Sequence, residues 1–368
     1  MQLRTFQMLL QSHRMLRLRT AARNNYSQVQ AITSSWLQDK GSDGDSDSDI
    51  ENRNDVSGQE GVAVAVGVGE CKSIQLRLYA STWLICITTA SQLWLARLLQ
   101  RPGRPVDKME RWRNKVAVVS GASAGIGAAC ARALVGAGLL VVGLARRQER
   151  IEEMRAKLPP AEQRRLHARR CDITRESEVL AAFDWAQREL GGVHVLVNNA
   201  GIIATTELSG PGNTQAIRDT IETNLMGSVY CIREAFQAMR RQEQQQPEQA
   251  RGEGHVIIVN SVAGQQVPNL GPQLPSLNIY PATKFALRAM QEIYRQEFQR
   301  HQTRVRVSTI SPGIVDTDIL PEQIQGVIKP HMPMLRSEDV ADAVLWTIST
   351  PANVQVQNIT IKPQGEKF

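Results

Sequence analysis

The chain has 368 residues, of which 42% are hydrophobic and 21% charged, a globular balance with room for one large domain or two small ones. The net charge of +7 is spread along the chain without a basic cluster that contains interleaved aromatic residues, which disfavours nucleic-acid binding. The five cysteines lack C-x-x-C spacing, so neither a disulfide framework nor a metal site is indicated. We expect Cys130 and Cys171, in apolar stretches, to be buried thiols.

Residues 1–108 differ in character from residues 109–368. The first thirty residues contain several arginines and no acidic residue, which is typical of a mitochondrial presequence. A low-complexity acidic tract follows at residues 41–49 and is predicted to be disordered. We therefore treat residues 1–108 as an extension and residues 109–368 as the main domain.

An uncharged stretch at residues 78–96 is long enough to cross a bilayer, but its hydroxyl-bearing residues make insertion marginal. The alternative is a weakly amphipathic or unstructured segment, and membrane contact is expected only here. A third explanation is an over-extended gene model, because Met109-Glu-Arg-Trp resembles a natural start directly before the first strand. We expect a cytoplasmic protein; a mitochondrial or membrane-anchored one is the alternative if residues 1–108 are real.

After residue 115, apolar runs alternate with helical patterns. The predicted strands are residues 116–119, 139–144, 165–171, 193–197, 255–260, 304–310 and 354–359, and the predicted helices include residues 126–137, 175–190, 216–239 and 281–300. Runs of valine, isoleucine and leucine are typical of parallel strands covered on both faces. The alternation predicts a single α/β domain, a doubly wound parallel sheet with right-handed crossovers. Residues 242–254, rich in Gln, Pro and Gly, are predicted to form a surface loop.

The first strand runs into Ser120-Gly-Ala-Ser-Ala-Gly-Ile-Gly127, which opens a helix. Glycines at these positions permit a tight turn, and the helix N-terminus offers unpaired N–H groups to a diphosphate. Three glycines can also mark an ordinary turn, but their place after the first strand of a parallel sheet predicts a dinucleotide site. The expected contacts are Gly121, Ser123, Ala124, Gly125, Ile126 and Gly127.

Arg146 and Arg147 stand at the end of the second predicted strand. An acidic residue here would bind the ribose hydroxyls and select NAD. Two guanidinium groups can instead pair with a 2′-phosphate, so the sequence predicts NADP(H) as the cofactor. The alternative is a solvated arginine pair.

Tyr280 and Lys284 are four residues apart and share one face of a predicted helix. A neighbouring ammonium favours the phenolate, which would make Tyr280 a general acid–base for alcohol–carbonyl interconversion. Such a pair often arises by chance. Ser261 adds support, because it follows the fifth strand at the edge where ligands bind in open α/β sheets. Asn224 stands in a predicted helix, where asparagine is not favoured.

Together these motifs resemble the short-chain dehydrogenase/reductase family. The resemblance is carried in order by residues 120–127 and 198–201, by Asn224, Ser261 and Tyr280 with Lys284, and by Ser311-Pro-Gly313. It implies a Rossmann-type sheet of strand order 3-2-1-4-5-6-7 with helices on both faces, no metal, and a homodimer or homotetramer. Further cofactor contacts by resemblance are Asp172, Ile173, Asn199, Ala200, Gly201, Pro312 and Gly313, with Tyr280 and Lys284.

The resemblance also implies roles for the Asn-Ser-Tyr-Lys tetrad. Tyr280 exchanges the proton with the substrate oxygen, and Ser261 orients that oxygen, so both contact the substrate. Lys284 holds the nicotinamide ribose and lowers the pKa of the phenol. Asn224 positions a water in the proton relay.

Shorter stretches resemble one branch of the family, which contains the insect farnesol dehydrogenases and the vertebrate dehydrogenase/reductase member 11. They are Met109-Glu-Arg-Trp, Gly143-Leu-Ala-Arg146, Asp339-Val-Ala-Asp-Ala and Ser349-Thr-Pro351. This branch implies an NADP(H)-dependent oxidoreductase for a small apolar alcohol or carbonyl: farnesol or another isoprenoid alcohol first, then a 3- or 17-ketosteroid. A catalytically silent NADP(H)-binding sensor or scaffold is the alternative function. Sugar-nucleotide epimerisation is disfavoured by the glycine spacing.

Two departures from the family pattern affect these expectations. Ser120 replaces the usual threonine but keeps its hydroxyl. The loop between Ser261 and Tyr280 is unusually long and rich in proline. Because this loop borders the substrate pocket, substrate identity is less safely transferred than chemistry. Its apolar residues are expected either to wall the pocket or to pack within the loop: Leu270, Leu274, Leu277 and Ile279.

Overall fold

The computed structural model describes residues 109–245, 254–271, 274–320, 325–326, 329 and 332–366. The presequence-like segment, the acidic tract and the uncharged stretch at residues 78–96 lie outside these ranges, as does most of the loop predicted at residues 242–254. Within the described ranges, the helices are all too short or too polar to cross a membrane.

Seven parallel strands form one sheet in the order β3-β2-β1-β4-β5-β6-β7, which confirms the predicted fold class. The strands are β1 Val116–Ser120, β2 Leu140–Ala145, β3 Leu166–Arg170, β4 Val195–Asn198, β5 His255–Val259, β6 Arg306–Pro312 and β7 Asn358–Ile361. β1, β4, β5 and β6 are buried along their whole length, which explains why β1, β4 and β5 are largely apolar rather than alternating. β6 differs, because it also buries polar residues such as Arg306 and Ser308.

Helices cover both faces of the sheet. They are α1 Gly125–Gly136, α2 Gln148–Ala156, α3 Pro160–Gln163, α4 Glu176–Leu190, α5 Thr214–Ile221, α6 Gly227–Gln245, α7 Tyr280–Arg300 and α8 Ser337–Ser349. One apolar core lies between the sheet and α1 with α8, and the other between the sheet and α4, α6 and α7. Cys130 and Cys171 are buried free thiols as predicted, and burial raises the pKa of each to about 12.

Several predicted bounds are shifted by one or two residues, and three predictions differ more from the structure. The seventh strand begins at Asn358 rather than at residue 354, because the Val354 and Val356 carbonyls accept hydrogen bonds from side chains of β6 instead of from a ladder. The single helix predicted at residues 216–239 is α5, a π-helical turn Glu222–Met226, and α6. The predicted loop at residues 242–254 begins too early, because α6 continues to Gln245; glutamine and glutamate are good helix formers.

Candidate active site

The turn between β1 and α1 depends on glycine. Gly121 has a φ of +69°, in the left-handed region that favours glycine. A Cβ on Gly127 would lie 2.2 Å from the Gly121 carbonyl oxygen, so α1 can start this close to the loop only without a side chain there. Ala124 precedes the helix without a side-chain cap, which leaves the first N–H groups to an anion in the crevice beyond the sheet edge.

The buried hydroxyl of Ser120 joins this turn to the end of β4. Its Oγ accepts hydrogen bonds from the backbone N–H of Asn199 at 3.0 Å and of Ala200 at 3.1 Å. The Asn199 side-chain amide donates in return to the Ser120 carbonyl oxygen at 3.1 Å. Serine therefore preserves the link for which the family usually uses threonine, because only the hydroxyl takes part.

A cavity of about 390 Å³ extends from the glycine turn along the carboxyl ends of β2, β3 and β4. The exposed side chains of Arg146 and Arg147 stand at the end of β2 beside this cavity. Most of the cofactor contacts predicted from sequence line it: Gly121, Ser123, Ala124, Gly125, Ile126, Arg146, Arg147, Asp172, Ile173, Asn199, Ala200 and Gly201. Gly127 packs behind the turn, and the remaining predicted contacts line a neighbouring cavity.

Tyr280 is the first residue of α7 and is buried. Burial raises the pKa of its phenol to about 12, and a hydrogen bond with Ser261 acts in the opposite direction. The Lys284 ammonium lies 5.6 Å from the centroid of the Tyr280 ring and donates to the Val259 carbonyl oxygen at 3.1 Å. Burial lowers the pKa of Lys284 to about 8. Desolvation of the phenolate is therefore the largest influence on the Tyr280 pKa in the chain by itself.

Asn224 lies in the π-helical turn between α5 and α6. Its Oδ1 accepts the Ile202 N–H at 2.9 Å, and its Nδ2 donates to the Ile202 carbonyl oxygen at 3.0 Å and to Thr283 Oγ1 at 3.2 Å. These bonds connect the loop after β4 to the first turn of α7, where Thr283 in turn donates to the Tyr280 carbonyl oxygen. The polar contacts explain an asparagine inside a helix, and π turns occur frequently at functional sites.

A second cavity, of about 150 Å³, contains Ser261, Tyr280 and Lys284. It shares lining residues with the first: Ile126, Asn199, Gly201, Ile203, Thr317 and Ile319. Pro312 and Gly313 also line it. Leu270 and Leu277 form part of its wall, whereas Leu274 and Ile279 are not among its lining residues. Of the described side chains that line it, Lys284 alone is charged, so this cavity suits an apolar substrate.

Sequence reasoning missed several residues at the border of this site, among them Thr317 and Asn278. Thr317 lines both cavities, and its position shortly after the end of β6 was the available signal. Asn278 is buried in a left-handed conformation, with φ of +49°. Its Nδ2 donates to the Thr206 carbonyl oxygen at 3.1 Å and to Thr206 Oγ1 at 2.7 Å. This Asn278–Thr206 clasp joins the long loop before Tyr280 to the loop after β4.

Comparison with known proteins identifies the family. The model of the short chain dehydrogenase family matches residues 115–327. The chain is 46% identical over 260 residues to farnesol dehydrogenase of Aedes aegypti, covering 71% of this chain and 100% of the relative. It is 38% identical over 273 residues to dehydrogenase/reductase SDR family member 11 of Homo sapiens, covering 72% and 98%. The protein belongs to the short-chain dehydrogenase family, whose members are oxidoreductases that bind a nicotinamide cofactor.

Solved structures agree with this assignment. A short-chain type dehydrogenase/reductase from Mycobacterium marinum matches with a TM-score of 0.60 and 25% identity, over 70% of this chain and 98% of that one. The closed form of serine dehydrogenase complexed with NADP+ matches with a TM-score of 0.58 and 26% identity, over 69% and 96%. The family and branch predicted from the motifs are confirmed. Across the part of the chain that is described, the structure groups no three His, Cys, Asp or Glu residues as a metal site.

Proposed function

We propose that this protein is an NADP(H)-dependent oxidoreductase that interconverts an alcohol and a carbonyl on an apolar substrate. The observation that carries the proposal is the Tyr280–Ser261 pair in an apolar cavity that shares lining residues with the cavity at the glycine turn. A bound nicotinamide would donate or accept the hydride. The chain's own residues would hold the substrate oxygen and exchange its proton.

Tyr280 is the proton-exchanging residue in this proposal, and Ser261 orients the substrate oxygen. In carbonyl reduction the phenol is already in the required protonated form at neutral pH, as an ordinary phenol is, and burial raises its pKa further. In alcohol oxidation the phenol must first lose its proton. Ser261 and Lys284 are the neighbouring groups that stabilise the phenolate, one through a hydrogen bond and the other through its charge. Lys284 also binds the nicotinamide ribose.

Asn224 completes the proposed tetrad by positioning a water in the proton relay. Support comes from its rigid placement: its amide is fixed by Ile202 and by Thr283, close to the start of α7. Asn224→Ala would remove the hydrogen bonds that hold this turn and the amide that positions the water.

The cofactor preference rests on Arg146 and Arg147. The cavity fits a dinucleotide, since Gly127 leaves room for the turn and uncapped N–H groups face the crevice. Two exposed guanidinium groups beside this cavity can bind a 2′-phosphate. We expect Arg146→Asp to shift the ratio of kcat/KM for NADP over NAD at least tenfold toward NAD. Arg164→Asp, exposed and away from the cavity, is the control; an unchanged ratio in Arg146→Asp would refute the assignment.

For the substrate we infer farnesol or another isoprenoid alcohol first, and a 3- or 17-ketosteroid second. The apolar wall of the catalytic cavity and the similarity to a farnesol dehydrogenase support this order. Steady-state assays with farnesol, retinol and ketosteroids, each with NADP and NAD, test it, and serine is the charged comparison. Efficient turnover of serine would contradict an apolar substrate. Tight NADPH binding without turnover of any substrate would indicate a sensor or scaffold.

We also propose a homodimer or homotetramer. Phe285 and Ile293 on α7 are apolar and remain exposed in the single chain, at 39% and 51%. Light scattering after size-exclusion chromatography would measure the assembly; a monomer at all concentrations would contradict it. A cytoplasmic location stays a prediction, with the mitochondrial and membrane-anchored alternatives.

A further inference from the structure

The C-terminal end of the described chain returns to the active site. After β7 the chain turns, with the Glu366 N–H donating to the Pro363 carbonyl oxygen at 3.1 Å. The Glu366 side chain is almost fully buried, with 1% exposed. Its Oε2 accepts the Ile314 N–H at 3.1 Å, and its Oε1 lies 3.2 Å from Lys362 Nζ. A buried carboxylate that accepts a backbone N–H is a strong directional contact.

Gly313 makes room for this carboxylate. A Cβ added to Gly313 would lie 2.0 Å from Glu366 Oε2, and its three nearest heavy atoms would all belong to the Glu366 carboxylate. The Glu366 carboxylate can therefore occupy its position only because residue 313 has no side chain. The two residues form one contact, although 53 positions separate them in sequence.

The segment that Glu366 holds is a wall of both cavities. Gly313 and Ile314 line the catalytic cavity, and Thr317 lines both. On the other side of this segment, Leu335 exchanges backbone hydrogen bonds with Ile314 at 2.8 Å and with Asp316 at 2.9 Å. Glu366 thus holds this segment of the wall from one side, and Leu335 holds it from the other.

We propose that Glu366 is a positioning residue for the active site: its carboxylate holds residues 313–317 in the shape that cofactor and substrate require. The inference builds on the proposed function, because it assigns the residue that shapes the proposed site. Glu366 is not among the residues that line either cavity. It acts through the backbone of Gly313 and Ile314, which line the catalytic cavity.

The first test compares Glu366→Ala and Glu366→Gln with Gln364→Ala, an exposed neighbour in the same tail. We expect Glu366→Ala to raise the Kd for NADPH and the KM for substrate at least fivefold. Glu366→Gln should recover most of this loss, because its amide oxygen still accepts the Ile314 N–H. Gln364→Ala should match the wild type.

Protein stability is measured in parallel by thermal unfolding. A purely structural role would lower the Tm and the fraction of active protein while leaving KM and Kd within twofold, and that result would overturn the proposal. The Kd for NADPH is measured by direct titration without substrate. It therefore tests Glu366 even if no substrate is turned over, which would count against the proposed function alone.

The second test is a double-mutant cycle. Gly313→Ala is made in the wild type and in Glu366→Ala. We expect the methyl group to weaken NADPH binding more in the wild type, because there it must displace the carboxylate. Equal losses in the two backgrounds would show that Gly313 and Glu366 act independently and would overturn the coupling.

Discussion

The nucleotide cavity, which is the cavity at the glycine turn, and the rim of the catalytic cavity, which contains Ser261, Tyr280 and Lys284, are built in different ways. The nucleotide cavity is formed mainly by the chain at the ends of β1 to β4, which the sheet places side by side, together with residues 317–319 after β6. The catalytic rim is formed by long connections that are joined by side chains, above all the Asn278–Thr206 clasp. Strand ends therefore place the residues of the first cavity, while contacts between loops hold the border of the second.

The largest expected effect separates chemistry from binding. Tyr280→Phe removes the hydroxyl that exchanges the proton, and we expect kcat to fall roughly 100- to 10,000-fold. The Kd for NADPH should change less than threefold, because the nucleotide cavity is lined by other residues. Tyr294→Phe, on the same helix and outside both cavities, is the control. A kcat within tenfold of the wild-type value would show that Tyr280 is not the proton-exchanging residue.

The second prediction tests the glycine turn that borders the nucleotide cavity. Gly127→Ala forces a Cβ against the Gly121 carbonyl oxygen, which must move. We expect the Kd for NADPH to rise at least tenfold, measured by fluorescence titration. Gly136→Ala on the same helix meets no atom within 4 Å and should leave binding unchanged. Similar affinities in the two variants would mean that the tight turn is not needed.

The third prediction challenges the rim. Asn278→Gly keeps the left-handed backbone but removes both hydrogen bonds to Thr206. At roughly 0.5–1.5 kcal/mol per bond, the two bonds together are worth about 1–3 kcal/mol, so we expect the substrate KM to rise at least about fivefold. The Kd for NADPH should not change, and Thr206→Val should reproduce part of the effect. A rise in both constants would show that the two halves are not separable.

The smallest expected effect concerns the burial of Lys284 in the catalytic cavity. Burial lowers the pKa of Lys284 from 10.5 to about 8, so between these values the folded chain binds fewer protons here than the unfolded chain. The free energy of unfolding should therefore rise with pH across this window, by at most ~1.4 kcal/mol per unit. The Tyr280 phenol lowers the free energy of unfolding with rising pH only above about pH 10, because burial raises its pKa from 10.0 to about 12.

Urea denaturation at pH 8, 9 and 10 would measure this slope. Lys284→Gln should lack the contribution, while exposed Lys157→Gln should keep it. Identical slopes in all three proteins would show that Lys284 is solvated in the folded chain.

The sequence predicted the fold and the glycine turn because both depend on local patterns, whereas the roles of the tetrad were inferred from the resemblance to the family. The glycines indicated a dinucleotide turn because Gly121 and Gly127 stand where the first strand of the sheet leads into the first helix. The clasp and Glu366 were missed because they depend on contacts between residues far apart in sequence, which no local pattern encodes. The raised pKa of Tyr280 has a related origin, because it depends on burial by residues from the whole chain, which the spacing of Tyr280 and Lys284 does not reveal.

The π-helical turn at Asn224 has a consequence for insertions and deletions. A π turn contains one residue more than the regular helix requires. Deletion of one residue between α5 and α6 would let an uninterrupted α-helix form with the two segments close to their present phase, but would remove the wide turn that places the Asn224 side chain. The shortened helix would satisfy its own hydrogen bonds more regularly while turning Asn224 away from Ile202 and Thr283. A change that improves local helical geometry would thus be selected against at this position.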